Sequence, residues 1–165
     1  MGLFDFFKPK KKETVVQFTA PKNPDNDYVN AVFLSLHKGQ PHPHNAHAHL
    51  GWLSYKLGIQ DPTAKHQEMF SKGYFREATP SEILNTYRVT EIKELLNSHG
   101  VTAAGKKAVL IDAILEQVPP ENLKLPELFR LSSKGWDFIE QHEDLIQLFK
   151  NPYNITYEEY SAVKA

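Results

Sequence analysis

The chain contains no cysteine. Disulfides and thiolate metal sites are therefore excluded, and a reducing compartment such as the cytoplasm is the expected location. Neither sign of charge is in excess: 19 Lys and Arg stand against 20 Asp and Glu, a formal charge of −1. The chain as a whole then has no pull toward nucleic acid or an anionic membrane, so any such binding has to come from a local patch. No stretch approaches the roughly 18 consecutive apolar residues of a membrane-spanning helix. Also lacking are a nucleophile motif, an HExxH pair and a dinucleotide-binding fingerprint. The expectation is a non-enzymatic protein with no cofactor and no integral membrane association.

What is present suffices for a folded core. Hydrophobic residues make up 41% and aromatics 12% of the 165 residues, and 11 prolines punctuate the chain. Val29, Val32, Phe33 and Leu36 recur at helical spacing before Gly39. Asp61–Pro62 and Thr79–Pro80, the latter with Glu82 three residues on, have the form of an N-cap followed by proline at the first helical position. "YF" at 74–75 and "LFRL" at 128–131 read as very short strands. Ser132 or Ser133 caps one long helix carrying Trp136, Ile139, Leu145, Ile146 and Phe149. Thr156 and Glu159 have capping-box spacing for a last short helix, and "ETVVQFTA" at 13–20 has strand composition. The predicted class is mainly α: several short helices with minor strands. The expected organisation is a tail and linker over 1–25, a helical region over 26–79, a two-helix module over 80–118 and a strand–helix region over 119–165. The opening "MGLFDFFKPKKK" has its charges after its apolar part, the reverse of a signal peptide, and reads first as a docked or frayed terminus with a solvated lysine run, with contact to an anionic membrane surface as the alternative.

"GVTAAGKK" at 100–107 is one residue short of a phosphate-binding P-loop, since Lys107 stands where Ser or Thr must hold magnesium. A P-loop also follows a buried strand, whereas "VTEIKELL" puts Val89, Ile92, Leu95 and Leu96 on one face of a helix that Gly100 stops. After Gly105, Leu110, Ile111, Ile114, Leu115 and Val118 form the apolar face of a second helix. Two amphipathic helices joined by a short extended stretch must bury their faces against each other. Over Tyr87–Gln117 this resembles the SAP module, a helix–extended loop–helix unit of DNA-associated proteins. The correspondence lies in "VTEIKELL", in Gly100–Val101, and in Gly105 with Lys107, Leu110 and Ile111. Where the family usually has Ser or Thr before the second glycine this chain has Ala104, and Ala113 replaces a common mid-helix Arg.

The resemblance implies duplex DNA as partner, bound through its backbone with little sequence readout. The residues expected to contact phosphate are Lys106 and Lys107, with Gly105 permitting close approach, and Lys93 and Arg88 as a second line. Between Arg88 and Gln117 four basic residues face four acidic ones, so affinity would come from segregation of charge. The alternative is a protein–protein adaptor, in which the module is structural and the Phe-rich start and terminal helices dock a partner.

Two further features stand apart. His42, His44, His47 and His49 lie within eight residues, a cluster able in principle to ligate zinc, copper or nickel, yet equally a bland loop or cap. Two prolines at 41 and 43 argue against regular structure at its start. "LGWLSYKLGI" and "DPTAKHQEMFSKGYF" form a helix-turn-helix-like pair, and "FRLSSKGWDFIE" resembles the closing strand-to-helix step of winged-helix regulators. A recognition helix calls for exposed polar residues near its start, and only Lys65 and Gln67 stand there. The pair reads first as ordinary packed helices.

Overall fold

The computed structural model describes residues 26–150. The expected strand at 13–20, the Phe/Lys opening and the helix around Thr156 lie outside the described residues. Among the described residues eight α-helices and three short strands follow one another as α1 (Asp27–Ser35), β1 (His42–Pro43), α2 (Trp52–Leu57), α3 (Pro62–Ser71), β2 (Phe75–Glu77), α4 (Pro80–Thr86), α5 (Val89–Ser98), α6 (Lys107–Gln117), β3 (Leu128–Leu131), α7 (Ser133–Gln141) and α8 (Glu143–Lys150), with a single 3-10 turn at Pro120–Asn122 before β3. The fold is mainly α with a small sheet, as the periodicity predicts.

Helix starts fall where short polar side chains can accept from the exposed first-turn N–H groups. Asn26 accepts from Val29, Asp61 from Ala64, and Ser132 from Gly135. At α4 both halves of the capping box form: Thr79 accepts from the Glu82 N–H, and the Glu82 carboxylate accepts from the Thr79 N–H at 2.8 Å. Left-handed glycines end or follow three helices, at Gly58 after α2, Gly73 after α3 and Gly100 after α5, with φ between 67° and 76°.

The sheet is antiparallel with β3 in the centre, in the order β1-β3-β2. Phe75 pairs with Leu131 and Glu77 with Phe129, while His42 pairs with Phe129 on the other side. The expectation of irregular chain at 41–43 is thus corrected. Pro43 is tolerated because β1 is an edge, where a missing N–H costs no ladder bond. The long C-terminal helix is corrected too: it breaks at His142, whose φ of −120° leaves the helical region. The break lets Ile139 of α7 and Leu145 and Ile146 of α8 all reach one core.

Buried apolar side chains gather into two clusters. The larger joins α1, α2, α3, β2, β3, α7 and α8 through Phe33, Leu34, Leu53, Leu57, Met69, Phe129 and Ile146, among others. The smaller joins α4, α5 and α6 through Leu84, Ile92, Leu96, Val101, Leu110, Ile111 and Ile114. Residues 78–127 lie between β2 and β3, so the α4–α6 module occupies the loop of a β-hairpin. Glu82 of α4 ties the module back to both strands. It pairs with Arg76 of β2 at 2.7 Å and with Arg130 of β3 at 2.8 Å.

Candidate nucleic-acid interface

α5 and α6 pack face to face around Ile92, Leu96, Leu110, Ile111 and Ile114, joined by the extended stretch at 101–104. Val101 points into this core and is 7% exposed. Gly105 has φ +133°, a backbone shape that side-chain-bearing residues rarely adopt, and so turns the chain sharply into α6. Val89 departs from the expected apolar face: at the first position of α5 it is 40% exposed, ahead of the turn that packs.

The N-termini of α5 and α6 differ electrostatically. At α5 the Glu91 carboxylate reaches back to accept from the Arg88 N–H at 2.6 Å, so the helix closes its own positive end. At α6 no side chain caps the helix, and the first turn holds no acidic residue. Lys106 occupies the N-cap position and cannot accept a hydrogen bond. The first-turn N–H groups of α6 thus have no side-chain acceptor, a geometry suited to an anion.

The expected cations are placed as follows. Lys106 is exposed and makes no ion pair or hydrogen bond among the described residues. Lys107 is half-buried, and its ammonium donates to the Asn85 carbonyl at the end of α4, 2.6 Å away. That bond locks the start of α6 to α4, a role the sequence did not disclose. It also brings Arg88 near, since three residues separate Asn85 from Arg88 and span at most about 11 Å. The exposed Arg88 guanidinium is free of carboxylates among the described residues, as is Lys93, exposed further along α5.

The histidines assemble differently from a loop. His37 of the α1 end, His42, His44, His47 and His66 of α3 surround Phe33, Phe70, Phe75 and Phe129. His47 and His66 lie with ring centres 4.8 Å apart, and His66 meets Phe129 edge-on at 4.4 Å. A chain of polar contacts runs from the Glu77 carboxylate to His44 Nε2 at 3.0 Å, and from His44 Nδ1 to His66 Nε2 at 3.1 Å. A carboxylate only accepts, so a neutral His44 has its proton on Nε2 and accepts at Nδ1 from His66 Nε2–H. The buried Nδ1 of His66 has no hydrogen-bond partner among the described residues. Burial pushes His66 down to about 4, helped by the neighbouring His47 and His44. Burial likewise takes His37 to about 4, against the opposing bond to the Phe33 carbonyl. Among the described residues no three His, Asp or Glu side chains are arranged to hold a metal ion. His49 is exposed and outside the cluster.

No helix among the described residues is long and apolar enough to cross a membrane. Comparison with curated proteins and with solved structures returns no match. Residues 83–119 match the family model of the SAP domain, a non-catalytic module of a family associated with binding DNA and chromatin. With its two packed helices, extended connection and glycine turn into α6, the unit in the hairpin loop of this chain is similar to the SAP domain over the residues matched.

Proposed function

We propose that this protein is a non-enzymatic DNA-associated protein whose SAP domain grips the phosphate backbone of duplex DNA. The observation that carries the reading is the open, uncapped start of α6 beside the unpaired Lys106, within a segment that matches the SAP model. One phosphate sits against the first-turn N–H groups of α6, where helix dipole and Lys106 charge act together. Gly105 keeps the approach free of a side chain. Arg88 takes an adjacent phosphate, and Lys93 adds a more distant charge. Lys107 contributes its field from the same corner while it braces α6 against α4.

Such contacts position the protein and carry no base sequence. With about three to four phosphates engaged, log K against log salt has a slope of roughly −2.7 to −3.6. Fluorescence anisotropy on a labelled duplex at two salt concentrations measures that slope. In Lys106→Ala its magnitude drops by about 1, and affinity falls alike for unrelated sequences. Salt-independent binding, no binding, or an unchanged slope in the variant removes this reading and favours the adaptor.

A further inference from the structure

The larger cluster contains a pair of short helices, α2 and α3, outside the segment that matches the SAP model. α2 and α3 are joined by four residues, Gly58 to Asp61. Gly58 is left-handed at φ 69°, and the Ile59 N–H returns to the Leu53 carbonyl at 3.1 Å, which seals the end of α2 and buries Ile59. Asp61 then starts α3 at once. Two short helices on a four-residue glycine turn are the elements of a helix-turn-helix. Around them the chain runs α1, β1, α2, α3, β2, β3, with β3 central between β1 and β2. That is the order of a winged helix-turn-helix, whose β2–β3 loop is the wing; here the SAP domain fills the wing's place.

The surface of α3 fits the same conclusion. Lys65, His66 and Met69 are buried, with the Lys65 ammonium held by Glu68 at 3.1 Å. Of the two polar residues noted at the start of this helix, Lys65 is therefore not an exposed one, while Gln67 is. Thr63, Ala64, Gln67 and Ser71 share the exposed face. These four side chains carry no charge; the exposed Asp61 just ahead of them is engaged as the N-cap, accepting from the Ala64 N–H. An amide reads adenine through two hydrogen bonds, a hydroxyl reads most base edges, and a methyl packs on thymine. Glu68, the acidic residue within α3, is paired with both Lys65 and Lys72. The hairpin links the two surfaces: α3 passes through Gly73 into β2, and Glu82 clamps α4 to β2 and β3 through Arg76 and Arg130.

We propose that α3 enters the major groove of duplex DNA and reads base pairs through Thr63 and Gln67, while the SAP domain in the wing position holds the neighbouring backbone. This goes beyond the backbone reading above, because it assigns sequence preference to a different helix.

The test uses the full chain and a pool of duplexes with a randomised core, selected over several rounds and sequenced. The expected result is an enriched consensus containing A·T pairs. Thr63→Ala/Gln67→Ala, two exposed positions, flattens the consensus, with preference over a single mismatch falling on the order of ten-fold. Ala64→Glu, which aims a carboxylate into the groove, abolishes enrichment. Lys106→Ala weakens retention of the whole pool but keeps the consensus. Retention without a consensus, or a consensus unchanged in Thr63→Ala/Gln67→Ala, overturns the α3 proposal and leaves the SAP reading standing. A consensus lost in those variants with no effect of Lys106→Ala does the opposite. No retention of any duplex overturns both.

Discussion

Replacing His66 by Phe tests whether the buried histidines make the fold acid-sensitive. His66 is 5% exposed and sits among Phe70, Phe75 and Phe129, so a phenyl ring keeps its shape and packing. The native pKa lies at about 4 against an ordinary 6.5. Between those values the unfolded chain takes up a proton that the native ring refuses, so stability falls as pH drops through that window. At pH 5 the loss attributable to one such histidine is about 2 kcal/mol. His37, also near 4, adds a similar amount. Above pH 6.5 neither contributes. Glu82, held at about 2 chiefly by its bond to Arg76, stays ionised over the whole range, so its stabilising pairings are constant there. Among the described residues, Glu77 hydrogen-bonds to the cluster through His44. Urea unfolding followed by tryptophan fluorescence at pH 7 and pH 5 gives the difference directly. In His66→Phe the gap between the two pH values narrows by about 2 kcal/mol, or roughly 4–8 °C in Tm. An unchanged gap would refute the account of His66 as neutral, buried and refusing its proton.

Two other substitutions probe how the parts are joined. A Cβ at Gly135 would collide with the Tyr74 carbonyl, a backbone atom that cannot step aside. Gly135→Ala is expected to cost about 1–3 kcal/mol by chemical denaturation, and an unaffected midpoint would show that α7 can slide away from β2. Glu82→Gln keeps the side-chain shape but loses the charge shared by Arg76 and Arg130. The expected destabilisation is about 2 kcal/mol at neutral pH, measured by thermal melting, and disappears as the wild-type carboxyl protonates toward pH 2.

Local chemistry was legible in the sequence wherever it fixed the structure. Asp61–Pro62, Thr79–Pro80–Glu82 and Ser132 mark helix starts because the acceptor and the N–H it satisfies lie within three residues. The α5–α6 module was legible because both of its helices and both of its glycines are contiguous. What escaped depends on distant partners. β1 exists only because β3 arrives more than eighty residues later to pair with it. Four of the histidines stand together in sequence, but His37 and His66, the two most perturbed, come from separate helices and meet the others only in the fold. Lys107 gave no sign that a carbonyl of α4 would occupy its ammonium. Lys65 reads as a surface residue until Glu68 and the packing of α3 draw it in. The break at His142 has no proline or glycine to announce it. It follows from the need of α7 and α8 to wrap α1 in turn.

Placing the α4–α6 module between β2 and β3 also bears on the order in which the chain assembles. A hairpin closed by a tight turn forms early, whereas one closed across about fifty loose residues pays roughly 2–3 kcal/mol more in loop entropy. A domain that condenses first removes this burden by bringing its own two ends side by side at Ala78 and Leu128, whose backbones are hydrogen-bonded at 2.8 Å. On that account the contiguous α4–α6 unit is expected to form before the central strand pairs with its neighbours. Lesions in the small core around Leu110 and Ile114 would thereby slow maturation of the histidine-lined core, although no atom of one replaces an atom of the other.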